Sequence, residues 1–153
     1  MSKINIYQIA KSSNDEFDKI IEDFIKMSSK YAKIEIHNLF NKKIGKAQTI
    51  SDIEAKKSYS EVFEPHLSSG FNIALDVKGK RVDSFEFSNF FENHATINFY
   101  IGGAYGFESN FLQKCDKKIS LSELTMAHKI ANIVLCEQIF RGLCIINNHP
   151  YHK

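Results

Sequence analysis

Residues 95–107 read ATINFYIGGAYGF. A nearly uninterrupted β-branched and aromatic run ends at Ile101 and gives way at once to Gly102, Gly103 and Gly106. A short apolar run bounded by glycine has the character of a strand buried on both faces, which a parallel sheet covered by helices requires. Ligands of open α/β sheets bind at the carboxyl ends of strands, where glycine lets the main chain come close and adopt positive φ. The spacing is neither G-x-G-x-x-G nor a phosphate loop with G-K-[ST]. A ligand loop and an ordinary tight strand-to-helix turn both remain open at this point.

Outward from this stretch, strand-like and helix-like patterns alternate. KINIYQI (3–9) and KIEIHNLF (33–40) read as strands, and NDEFDKIIEDFIKMSSKYA between them as a helix capped by Ser13 or Asn14. NKKIGKAQT reads as an exposed, mobile, Lys-rich loop around Gly45. Residues 51–67 read as an amphipathic helix, with Ser51 and Glu54 at capping-box spacing. FNIALDV is a short buried strand that KGK turns back. Residues 84–93 form a short helix with four Phe, and 108–115 a second one. KKISLS is a last strand, ELTMAH a loop and 129–146 the final helix. The alternation predicts an α/β fold with a largely parallel, Rossmann-like sheet, in one domain over residues 1–153.

Composition excludes more than it selects. A net charge of +2 over 153 residues announces no strongly basic face for naked nucleic acid. Cys115, Cys136 and Cys144 form no C-x-x-C pair, and the latter two stand more than two turns apart on one helix. Reduced thiols and an N-terminus without a signal-peptide core point to the cytoplasm. IANIVLCEQIFRGLCII is interrupted by Asn132, Glu137, Gln138 and Arg141, so it reads as a buried helix and no membrane span.

Four segments can carry chemistry. Beside the Gly loop, SLSELTMAHK offers Ser120, Ser122, Thr125 and His128 between a strand and the last helix. Its backbone can read the edge of a flat heterocycle, or its hydroxyls can simply cap and turn. Glu137 and Arg141 stand four apart on an apolar helix, where an ion pair is expected, either structural or holding an arginine ready for an anion. NNHPYHK (147–153) carries His149, Pro150, Tyr151, His152 and Lys153. His149 and His152 have no second ligand pair, so no metal centre is expected. Together these segments predict a cleft built from the Gly loop, the Ser/Thr loop and the tail.

Taken in order, IGGAYGF, SLSELTMAH, CEQIFRG and NNHPYHK resemble the SPOUT-class ribosomal RNA large-subunit methyltransferase H family, over essentially the whole chain and most strongly from Ile101 onward. The resemblance implies an α/β knot with a C-terminal deep trefoil, bent S-adenosylmethionine, a homodimer, no metal, and methylation at N3 of a pseudouridine in 23S RNA of assembled ribosomes. By position it implies cofactor contacts at Leu75, Gly103, Ser122, Glu123, Leu124, Thr125, Met126 and Ala127. It implies catalytic roles among His128, Arg141, Tyr151 and His152, with Glu137 orienting Arg141 and Lys153 on RNA phosphate; which histidine is the base stays open.

The chain departs from the family pattern at Ala104-Tyr105 (usually Pro-Glu), at Ala127 and Lys129 (usually prolines), at Asn132 (commonly basic) and at Lys153 (commonly Arg). The missing prolines are expected to loosen the cofactor loop, and Asn132 to cost an RNA or dimer contact. Two rival readings are a non-catalytic dimeric ribosome-binding module and a nucleotide-binding transferase that uses Gly102–Gly106 on phosphate.

Overall fold

A computed structural model describes all 153 residues. Strand β1 (Ser2–Gln8) leads into helix α1 (Glu16–Ser28), β2 (Ala32–Asn38), α2 (Lys42–Ala47) and α3 (Asp52–Phe63). A 3-10 turn (Glu64–Ser68), β3 (Phe71–Arg81), α4 (Ser84–Asn93), β4 (Thr96–Ile101), α5 (Ser109–Lys114), β5 (Lys117–Ser120) and α6 (His128–Ile146) follow. The five strands are all parallel, in the order β2-β1-β4-β3-β5. The α/β, parallel-sheet expectation is met.

Helices cover both faces of the sheet. On one face Ile4, Ile6, Ile97 and Phe99 pack with Ile21 of α1, Phe87 and Phe91 of α4, and Leu135, Ile139 and Leu143 of α6. Gly142 permits the close α4–α6 crossing, since a Cβ there would lie 2.8 Å from the Phe91 ring. On the other face Tyr7, Ile9 and Tyr100 pack with Ile44 of α2, Tyr59 and Phe63 of α3, and Phe111 of α5. At about 1.5–3 kcal/mol for each fully buried large apolar side chain, these layers outweigh any helix cap, worth about 1 kcal/mol.

Three asparagines set the strand register. Asn5, Asn98 and Asn72 stand directly opposite one another on β1, β4 and β3. Asn5 donates to Asn98 Oδ1 (2.9 Å), and Asn98 donates to Asn72 Oδ1 (3.0 Å) and to the Ser69 carbonyl (2.7 Å). The Tyr100 hydroxyl also donates to Asn72 Oδ1, at 2.8 Å. All four residues are buried and no buried polar side-chain atom lacks a partner.

Several local expectations are corrected. The Lys-rich stretch around Gly45 is helix α2, capped by Asn41 and anchored by fully buried Ile44 and Ala47. Asp15, not Ser13 or Asn14, caps α1, in a reciprocal box with Asp18. Ser51 does cap α3, but α3 ends at Phe63 because Pro65 opens a separate 3-10 turn. KGK does not turn the chain: β3 continues to Arg81, and both Leu75 and Lys80 register with Ile119 across a bulge. The three thiols are free, and burial pushes Cys115 and Cys136 up to about 12.

Two outcomes follow from this core. Asn98→Leu orphans the Asn5 amide and the Ser69 carbonyl, so urea titration should show a loss of about 2–4 kcal/mol. The buried thiols keep their protons where an unfolded thiol, with its ordinary value of 9, would lose them. Their contribution is therefore complete below pH 9 and disappears as pH rises from 9 to 12. Unfolding midpoints measured across that window should fall, and replacing Cys136 by Ala should flatten the decline.

Candidate active site

The parallel register sets Leu75, midway along β3, level with the carboxyl end of β4 and with the last residues of the edge strand β5. Leu75 of β3, half-buried, faces Ile101 of β4 on one side and Ile119 of β5 on the other. The Gly loop leaves β4 just past Ile101, and the Ser/Thr loop leaves β5 just past Ser120. Leu75, Gly103 and Ser122–Ala127 therefore meet at one edge of the sheet.

The Gly loop is braced from below. A Cβ on Gly103 would lie 2.5 Å from the Tyr59 ring, so no larger residue fits. Gly106 has φ 81°, closes the turn by donating to the Gly103 carbonyl at 3.0 Å, and faces open space. Tyr105 reaches across to the Gln48 carbonyl at 3.5 Å, and Gln48 accepts from Tyr59 at 2.6 Å. In the opposite loop Ser120 donates to the Ser122 carbonyl, and Ser122 accepts from the Leu124 amide. The main-chain groups of Glu123, Thr125 and Met126 take no hydrogen-bond partner within the chain. A floor with room over Gly106, an apolar Leu75 and a free peptide edge suit a flat heterocycle carrying its own donors and acceptors.

Loss of the two prolines does not leave this loop untethered. Lys129 Nζ bonds Asp15, Ser13 (2.8 Å) and Asp18 (3.4 Å), fastening the start of α6 to the start of α1. Asn132 is no surface contact either. It is 1% exposed and donates to Gln8 Oε1 at 2.9 Å, while Gln8 donates to Asn38. The side chain points into the core and offers no surface contact.

A second cluster lies farther along α6. Glu137 Oε1 accepts from Arg141 Nε (3.1 Å), Arg141 Nη2 (2.5 Å) and the Tyr151 hydroxyl (3.1 Å). Arg141 also lies 4.8 Å over the Tyr151 ring, which meets Phe140 edge-on. The tail thus folds back onto its own helix, and the His149 amide donates to the Cys144 carbonyl. His152 stacks edge-on with Phe85 of α4, and Arg141 Nη1 lies 3.1 Å from its Nδ1. A guanidinium only donates, so Nδ1 is the acceptor and a neutral His152 presents its proton on Nε2. The Glu137 hydrogen bond holds Arg141 firmly protonated; burial and then Glu137 raise the Tyr151 phenol above its ordinary value. The cluster is consequently a set of donors and one cation, suited to carbonyl oxygens or an anion. Lys153 is exposed beyond it.

The two clusters do not meet within one chain. Glu137 stands nine residues beyond His128 on α6, about 14 Å at 1.5 Å per residue, and Arg141 thirteen, about 20 Å. Within one chain, the Gly and Ser/Thr loops and the tail lie at two separate poles. His128, exposed and without a side-chain partner, belongs to the loop pole. The polar interior ladder escaped sequence reading, although Asn5, Asn72 and Asn98 each sit between two apolar strand residues.

Glu137→Gln removes the charge but not the burial at Tyr151. The ring carbon signal of Tyr151, followed by NMR through alkaline titration, should then titrate at lower pH than in the unmodified protein. An unchanged midpoint would mean that the phenol does not feel Glu137.

A family model described as "Predicted SPOUT methyltransferase" matches residues 2–152. The ribosomal RNA large subunit methyltransferase H of Aliarcobacter butzleri is 64% identical over 151 residues, covering 99% of both chains. The protein of the same name from Nitratiruptor sp. is 55% identical over 154 residues, covering 100% of both. Among solved structures, a probable methylase family protein from Haemophilus influenzae superposes with a TM-score of 0.60 at 12% identity, over 98% of this chain and 70% of that one. At that identity the likeness concerns the fold alone.

Proposed function

The chain belongs to the SPOUT methyltransferase family, and from that premise we propose that it methylates large-subunit ribosomal RNA with S-adenosylmethionine as the methyl donor. The finer reading is transfer to N3 of a pseudouridine in 23S RNA of assembled ribosomes, by a homodimer whose α6 threads the trefoil knot of the family. The observation that supports the reading is the loop pole, where Leu75, the braced Gly103 and the free main-chain groups of Glu123, Thr125 and Met126 lie at one end of the sheet.

S-adenosylmethionine supplies an electrophilic methyl on a sulfonium. The free main-chain groups of Glu123, Thr125 and Met126 would hold the edge of its adenine, with Leu75 and the Gly103–Gly106 turn against its apolar surface. Exclusion of water and fixed alignment at this edge supply the larger part of the acceleration. A pseudouridine N3 lies between two carbonyl oxygens, and loss of its proton spreads negative charge onto both. The spare Arg141 Nη protons and the His152 Nε2 proton are donors matched to those oxygens, while Tyr151, whose one proton goes to Glu137, holds the guanidinium in place. His152, with Nδ1 occupied by Arg141, is a donor in this arrangement, so His128 is the side chain free to accept the proton.

The distance between the poles along α6 requires that one chain supply the cofactor loops and another the donor cluster. A second copy also accounts for α1. This helix leaves Phe17, Ile20 and Met27 at 41, 43 and 44% exposure, with Ile130 of α6 at 40%. Such an apolar stripe at helical spacing suits self-association.

Labelled S-adenosylmethionine incubated with ribosomes lacking the modification should deliver label to 23S RNA, and absence of label despite cofactor binding would overturn the reading. Removing residues 149–153 should abolish transfer while leaving the fold and dimer intact. His128→Ala and Arg141→Ala should each lower kcat/KM by about 10²-fold or more. Mixed and reassociated at random, the two inactive variants should recover about a quarter of wild-type activity, since each heterodimer regains one whole site. No recovery would place both poles of the working site in a single chain.

A further inference from the structure

The positive charge of this chain is not spread evenly. Residues 42–61, covering α2 and α3, hold five lysines against three acids, a surplus of +2 that equals the net charge of all 153 residues. Elsewhere four lysines are paired, Lys33 with Glu35, Lys80 with Glu86, Lys114 with Glu64 and Lys129 with Asp15. On α2–α3 only Lys43 is paired, with Glu61 at 2.6 Å. Lys42, Lys46, Lys56 and Lys57 have no carboxylate within 4.0 Å.

These cations have shape around them. Lys43, Lys46 and Lys57 line a cleft of about 180 Å³ together with Glu54 and Glu61, a surplus of one positive charge, with Lys43 paired to Glu61. Lys56 lines a neighbouring hollow of about 350 Å³ with Ile53, Glu108 and Phe107, the residue that follows the Gly loop. The helix pair is also joined to that loop through Tyr105 on Gln48 and Tyr59 beneath Gly103. Ile50 and Ile53 stand 63 and 70% exposed between the two clefts. Unpaired ammonium groups beside exposed apolar side chains match a polymer of phosphates, sugars and bases. The strip begins next to the loop pole.

We propose that the α2–α3 shoulder is the surface on which this protein docks ribosomal RNA, with Lys46 and Lys57 on phosphates of the strand leading to the target base. The inference rests on the reading of the chain as a ribosomal RNA methyltransferase, and it adds where the substrate is gripped. Each lysine on a phosphate releases condensed counterions, so affinity depends on salt in proportion to the number of such contacts. The shoulder therefore contributes to substrate affinity and not to the chemical step.

The test compares wild type with a Lys46→Gln/Lys57→Gln double variant, in which glutamine keeps the helices well formed. Affinity for ribosomes lacking the modification is measured across a series of KCl concentrations, alongside S-adenosylmethionine affinity and the rate at saturating ribosomes. The variant should bind about tenfold more weakly at low salt, with a log–log salt slope smaller by about 1.5. Its cofactor affinity and saturated rate should be unchanged. Unaltered ribosome affinity and slope would overturn the proposal. So would an equal loss of affinity for RNA-free ribosomal proteins, which would put an acidic protein on the shoulder. Wild type that binds through these lysines without transferring methyl would remove the enzymatic reading and leave the docking surface standing. Wild-type transfer with undiminished binding by the variant would do the reverse.

Discussion

The Asn5–Asn98–Asn72 row is the interaction on which the rest of the structure depends. In a parallel sheet made of Ile, Phe and Val, a slip of two residues keeps every side chain on its own face and costs little hydrophobic contact. The asparagines forbid it. A slipped strand would leave buried amides without partners, and each such loss costs about 1–3 kcal/mol. Because β1, β4 and β3 are locked in this way, Leu75 of β3 stands level with Ile101 at the end of β4 and, through β5, with Ile119. The loops that leave those ends are brought together as a result.

Helix α6 then separates two kinds of chemistry. At its start are an exposed imidazole and a peptide edge with free hydrogen-bonding groups. Farther along, a half-buried carboxylate fixes a guanidinium, a phenol and an imidazole as donors. Glu137 is the organising group of that second pole. A lone arginine against Phe140 and Tyr151 would lose hydration without compensation, whereas the two-point contact with one carboxylate both neutralises and aims it. Tyr151 completes the third bond to the same oxygen, so the arrangement of the tail is decided by one atom of one side chain.

The fold was legible in the sequence wherever the hydrophobic period was clean: β1, β4, α4 and α6 lie within a residue or two of where the pattern put them. It was less legible where a short element depends on distant partners. Helix α2 looks like a solvated lysine loop because Ile44 and Ala47 become core only when α3 and β1 are beside them. β3 outran its apolar run because β5 supplies a second register across the bulge, which no local pattern announces. At the candidate site the residue types were readable, and the Glu137–Arg141 pair followed from spacing alone. The separation of the poles was not, since it needs the tail's path back along α6. Asn132 was misread because an asparagine on a helix face says nothing about whether Gln8 waits opposite.

The placement of α6 has a consequence for the order of events during synthesis. The largest apolar cluster joins Ile4 and Ile6 of β1 to Leu135, Ile139 and Leu143, so the earliest strand waits for residues translated more than a hundred positions later. Until they emerge, that face of the sheet has only α1 and α4 on it, with nothing between them. The core on this face is therefore complete only when α6 docks, and a period of exposed apolar surface is built into the topology. Helix α6 is thus both the support of the two chemical poles and the element that closes the core, so the site cannot form before the fold is complete.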